Sequence, residues 1–195
     1  MSQRLLIAVA LVLGALVAGL ALFWNPGSPA ANSGPAGGDF SLLSADGPVS
    51  LKDYRGKVVL LSFGYTYCPD ICPTSLAGTA AALKLLTPDE AKRTAAIFVS
   101  VDPERDTLTH LKEYVAFFHP SLVGVTGAPG EVARVAKQYG VYYAKHESAS
   151  AAGYSVDHTA ETHLIGPDGT FLGRIPFGST PEQVALEVRK RLNSK

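Results

Sequence analysis

Two cysteines, Cys68 and Cys72, are the only ones among 195 residues, and they lie four positions apart. A disulfide-stapled scaffold carries more of them, spread along the chain. Two close thiols make a site instead. Their spacing is C-x-x-x-C, not the C-x-x-C of redox thioredoxins. On a helix that spacing puts two sulfurs one turn apart, so they can converge on an ion. The same proximity allows a disulfide, and spacing alone leaves both uses open. Cys72 precedes Pro73, which reads as the first residue of a helix. The positive end of that helix favours the thiolate, the form that binds metals.

Paired thiolates attract soft metals, Cu(I) above all, and an imidazole would complete a three-coordinate site. The chain has five histidines. His110 sits on an expected helix among charged neighbours and reads as solvated. His119 precedes Pro120 at a helix end, a common capping position. His146 lies beside a Ser/Ala-rich loop. His158 is the candidate ligand, in a turn, Tyr154-Ser-Val-Asp-His-Thr159, that leads into the last strands. That region of a thioredoxin-like fold returns beside the cysteine loop. Asp157 or Thr159 would orient the ring. On its own the segment would read as a surface loop. Adding His163 gives spacings compatible with tetrahedral zinc. His163 is five residues beyond His158, however, and on an extended strand the two side chains point to opposite faces. It is expected as a half-buried sheet residue.

The elements that must position these residues follow from the hydrophobic pattern. Residues 40–51 read as a hairpin around Asp46-Gly47. Continuous apolar runs at 57–63 and 95–101 suit strands buried on both faces. Helices are expected at 73–86, 107–118, 130–139 and 181–192, the third stopped by Gly140. Short strands are expected at 122–125, 141–145, 161–165 and 170–176, with a turn at Pro167-Asp168-Gly169. Strands alternating with helices, then a late hairpin, predict an α/β, thioredoxin-like fold over residues 40–195. The cysteines would then follow a strand and open a helix, where α/β proteins place ligands.

Ahead of this domain, Leu5 to Trp24 is 20 residues without a charge. A bilayer core of ~30 Å needs about that length of helix. Arg4 flanks its start, and no Lys or Arg follows until Lys52. Residues 1–24 therefore read as a retained N-terminal transmembrane helix, preferred over a cleaved signal peptide, whose apolar core is shorter. The charge asymmetry keeps the N-terminus in the cytoplasm. The expected location is a bacterial inner membrane, with one span and the domain on the periplasmic side. In residues 25–39, seven of 15 are Pro or Gly, which reads as a flexible tether. Lys+Arg and Asp+Glu balance at 17 each, which speaks against a nucleic-acid partner. Hydrophobic residues make up 47% and charged ones 17%, so disorder is not the default.

Three stretches together resemble the Sco/SenC family of copper-binding assembly factors for cytochrome c oxidase. They are Phe63-Gly-Tyr-Thr-Tyr-Cys-Pro-Asp-Ile-Cys-Pro73, Val101-Asp-Pro-Glu-Arg-Asp-Thr107, and Val156-Asp-His-Thr159 ahead of Leu164-Ile-Gly-Pro-Asp-Gly169. The resemblance implies copper, as Cu(I), Cu(II) or both, held by Cys68, Cys72 and His158. It implies support for the binuclear copper site of oxidase subunit II, by metal delivery or by reduction of that subunit's cysteines. Tyr67 and His163 depart from the pattern, which often has histidine at the first and an aromatic at the second. Asp102, Arg105 and Asp106 match a family motif, and the residues themselves suggest only caps for the helix near Thr107. A copper chaperone without turnover is the leading expectation. A membrane-anchored thiol–disulfide oxidoreductase is the alternative, and it would have no need of His158. A thiol peroxidase fits less well, because Tyr65-Thr-Tyr-Cys68 lacks the proline such enzymes place ahead of one reactive cysteine.

Overall fold

The computed structural model describes residues 37–147 and 153–193. Ahead of them it describes only Gln3, Ile7, 11–14, 16 and 19, all helical. The expected anchor and tether therefore fall largely outside the described residues. Among the described residues no helix is long and apolar enough to cross a membrane.

Two strands form the centre of the domain, β3 (Val58–Gly64) and β4 (Thr94–Ser100), and every residue of both is buried. Their uninterrupted apolar runs reflect cover on both faces. β4 pairs in parallel with β3 and with β5 (Leu122–Val125). On the other side of β3 lie β8 (Thr162–Ile165) and β9 (Phe171–Ile175), both antiparallel. The sheet order is β5-β4-β3-β8-β9. Helix α1 (Ile71–Lys84) follows β3 and packs on the closing helix α5 (Pro181–Asn193). A short helix, α2 (Pro88–Lys92), carries a Thr87/Glu90 capping box ahead of β4. α3 (Leu108–Phe118) lies against β5, where Gly124 leaves room for Leu111 and Val115. α4 (Pro129–Gln138) leads to Gly140 at φ 67°, a left-handed helix stop that glycine adopts without strain. This is the expected α/β, thioredoxin-like arrangement.

A hairpin, β1 (Ser41–Ser44) and β2 (Gly47–Ser50), opens the domain. A second ribbon stands apart from the main sheet, β6 (Tyr143–Glu147) antiparallel to β7 (Tyr154–His158). Three expectations need correction. Tyr154 to His158 is a strand rather than a turn. α1 begins at Ile71, so Cys72 and Pro73 lie inside its first turn. His163 is not half-buried but wholly buried.

Candidate metal centre

Gly64 ends β3, and the chain then turns through Tyr65, Thr66 and Tyr67 to Cys68. The amide of Cys68 donates to the Tyr65 carbonyl at 3.3 Å, closing that turn. Asp70 stands at the N-cap of α1 but offers no side-chain cap. The sulfur of Cys68 serves there instead, accepting from the Cys72 amide at 3.4 Å. First-turn amides need such acceptors, and the positive helix end favours an anionic one. Cys72 is buried and Cys68 half-buried, and both are free thiols. The close approach has a backbone cause. A Cβ at Gly64 would run into Cys72 Sγ and lie 2.9 Å from Phe98 Cε2.

His158 arrives from the other side, as the last residue of β7. Its Nδ1 lies 3.0 Å from the carbonyl oxygen of Thr159. A carbonyl only accepts, so Nδ1 carries the proton, and Nε2 is the nitrogen left to a ligand. Nε2 lies 3.1 Å from Cys72 Sγ. The ring meets Tyr65 edge-on, with centroids 5.9 Å apart. Cys68, Cys72 and His158 place their ligand atoms within 4.8 Å of one another. No other metal-competent cluster of His, Cys, Asp or Glu occurs among the described residues.

The two sulfurs share protons unequally. A hydrogen bond from Cys72 holds the Cys68 thiol far below its ordinary value, and His158 adds to this. Cys72 moves the opposite way, raised first by its hydrogen bond to Cys68 and then by burial. For His158, burial favours the neutral ring, but hydrogen bonds to Cys68 and to the Thr159 carbonyl outweigh it and raise the pKa. The metal-free centre is thus a Cys68 thiolate beside an imidazole whose pKa is raised.

The other histidines go elsewhere. His110 is exposed on α3, its ring 5.8 Å from Tyr67. His119 caps the C-terminus of α3 and accepts from the Ser121 amide at 3.2 Å. His146 pairs with Asp157 at 3.2 Å, so Asp157 does not orient His158. His163 lies on β8 opposite Leu61, with Nε2 3.1 Å from the Tyr139 carbonyl. It faces away from the cysteines, though not for the reason expected, since 159–161 break the strand between the two histidines.

The SCO1/SenC family model matches residues 28–193. The chain belongs to the SCO1/SenC family. It is 43% identical over 145 residues to the mitochondrial SCO1 homolog 1 of Arabidopsis thaliana, covering 74% of this chain and 43% of that protein. Across the first three curated relatives it spans 43% to 62% of their length. Bradyrhizobium japonicum ScoI, solved with copper bound, is 40% identical, with a TM-score of 0.74 over 80% of this chain and 99% of that one. BsSco, described as having a disulfide switch and as a member of the Sco family of cytochrome c oxidase assembly proteins, is 27% identical. Its TM-score is 0.63 over 84% of this chain and 96% of that one.

The motif residues Asp102, Arg105 and Asp106 of this SCO1/SenC domain are not helix caps. Thr107 caps α3, accepting from the His110 amide at 3.3 Å. The sequence motif marks these three residues, but only the fold shows what they touch.

Proposed function

We propose that this chain is a copper-binding protein of cytochrome c oxidase assembly, holding its cargo ion through Cys68, Cys72 and His158. One observation carries the reading: two sulfurs and the available Nε2 of His158 converge within 4.8 Å. The donor set suits copper. Thiolates stabilise Cu(I), and the imidazole gives Cu(II) the nitrogen it prefers. Loading releases the proton of Cys72, because only deprotonated donors bind. Copper bound to Bradyrhizobium japonicum ScoI supports the choice of metal, and the assembly role described for BsSco supports the pathway. Oxidase subunit II is the proposed recipient, through its paired cysteines. Copper content of the purified full-length chain in detergent tests the reading. Wild type should hold one ion in either oxidation state. His158→Ala should lose Cu(II) far more than Cu(I), because two thiolates alone satisfy Cu(I). Equal loss of both states, or none, would sink the three-ligand site.

A second reading, reduction of the partner's disulfide by Cys68 and Cys72, is favoured by the lowered pKa of the half-buried Cys68. The cargo would be an electron pair, and Cys72 would resolve the mixed disulfide. Reduction of a disulfide substrate by reduced His158→Ala at the wild-type rate would support it.

Residues 1–24 are proposed to hold the domain on the outer side of a bacterial inner membrane. The support is the uncharged run from Leu5 to Trp24 behind Arg4. Alkaline carbonate extraction should leave the protein in the membrane pellet. A shortened, soluble form would mean that the segment is cleaved.

A further inference from the structure

The loop between β4 and α3 carries two buried carboxylates, Asp102 and Asp106, with no exposure above 1%. A buried charge persists only where hydrogen bonds or a partner compensate its desolvation. Each carboxylate draws a compensating group from one half of the metal centre. Asp106 accepts from the Thr66 hydroxyl at 2.6 Å and the Thr66 amide at 3.0 Å. Thr66 lies two residues before Cys68. The Ser100 hydroxyl, at the end of β4, also donates to Asp106 at 2.6 Å. Asp102 accepts from the Tyr154 hydroxyl at 2.7 Å and from Arg105 Nε at 2.5 Å. Tyr154 opens β7, the strand that ends in His158.

Arg105 joins the halves. Its Nη1 donates to the Tyr154 carbonyl at 2.9 Å. Its guanidinium carbon lies 3.6 Å from the centroid of the Tyr154 ring, 5.0 Å from that of Tyr67 and 5.5 Å from that of Tyr65. A planar cation can stack on an aromatic face and donate along its edge at once. Tyr65 then closes the circuit, its hydroxyl accepting from the Val156 amide at 3.3 Å. Cys68 and His158 are 90 residues apart in sequence. β7 belongs to a ribbon outside the main sheet, so no sheet ladder sets its distance from the cysteines.

We infer that the β4–α3 loop is a bracket that positions the metal centre. Asp106 fixes the cysteine turn, and Asp102 with Arg105 fixes the strand that presents His158. These are positioning residues and touch no ligand. The idea rests on the copper reading for its functional consequence, but not for its structural one.

Two measurements on the full-length chain in detergent separate these. The first is amide hydrogen exchange over residues 154–158 in the reduced, copper-free protein. The second is Cu(II) affinity, read from its absorption and paramagnetic resonance, beside Cu(I) stoichiometry. In Asp102→Asn, exchange over 154–158 should rise while β3 stays protected. Cu(II) affinity should fall about 10- to 100-fold, the usual range for partners that orient a ligand. Cu(I) stoichiometry should hold, because the cysteine turn keeps its own anchor. Tyr154→Phe, which keeps the ring and removes only the hydroxyl, should shift both readouts the same way and less. Asp106→Asn should leave exchange over 154–158 near wild type and slow Cys68–Cys72 disulfide formation. Unchanged exchange in both Asp102→Asn and Tyr154→Phe would overturn the bracket. So would faster exchange with unaltered Cu(II) affinity. If Asp102→Asn fails to fold, Tyr154→Phe decides. If wild type binds no copper, the copper reading falls and the exchange arm still judges the bracket.

Discussion

Cys68 and Cys72 are chemically unequal although the sequence presents them as a pair. Cys68 is half-buried and its sulfur accepts the Cys72 amide. Its thiolate is favoured, first by the hydrogen bond from Cys72 and then by His158. Cys72 is 2% exposed and holds its proton more tightly than an ordinary thiol. Nucleophilicity follows the thiolate and access to it. Limiting iodoacetamide at pH 6, followed by peptide mapping, should therefore label Cys68 many times faster than Cys72. The Cys68 reaction should persist at a pH where ordinary thiols are slow. Preferential labelling of Cys72 would show that the proton sits on the wrong sulfur. The two cysteines are legible because their residue type announces them. The contacts of Asp102, Arg105 and Asp106 are not. Asp106 meets Thr66 across 40 positions and Asp102 meets Tyr154 across 52, and spacing carries no trace of such distant hydrogen bonds.

At the scale of elements, the legible parts are those whose burial is continuous. β3 and β4 are buried throughout, and their expected bounds shift by one residue. β7 escapes a reading of the hydrophobic pattern for the opposite reason. Of Tyr154–His158 only Val156 is buried, so its side chains show no strand period. A strand of a two-stranded ribbon borrows little from hydrophobic burial, and its bonds to Tyr65 and Asp102 come from elsewhere in the chain. Pro73 invites the first helical position, which sets the expected start of α1 two residues late. Here Ile71 and Cys72 precede it, which brings the Cys72 amide within reach of Cys68. Gly64 supports the same junction from the strand side. Any side chain there would compete with Cys72 Sγ for one volume, so the last residue of β3 and the first turn of α1 can approach only across a glycine.

For the whole molecule, the fold class and the order of its elements are open to sequence reasoning, because alternating strands and helices leave few packings. The full burial of His163 is not, since a lone histidine in a strand reads as half-buried. It is wholly buried, with the rings of Phe63, Tyr139 and Phe171 at 5.5, 5.7 and 5.8 Å. Its Nε2 donates to the Tyr139 carbonyl at 3.1 Å. Burial pushes its pKa down to about 4, helped by Arg174 and opposed by that hydrogen bond. The unfolded chain, with an ordinary histidine near 6.5, takes up the proton first as pH falls. Stability linked to His163 is therefore complete above pH ~6.5 and drains away until about pH 4, by about 3 kcal/mol in all. His163→Phe removes the titration and keeps an aromatic ring in an aromatic site. It leaves the Tyr139 carbonyl without its donor, which costs about 1–3 kcal/mol at every pH. The variant should thus match or trail wild type at pH 7 and gain on it steadily toward pH 4.5. Other titrating groups are common to both proteins and cancel in the difference. Urea unfolding of each at pH 7, 6, 5 and 4.5 measures that difference. Parallel stability curves for the two proteins would mean that His163 accepts its proton in the folded state, and that its site is not the closed aromatic pocket described above.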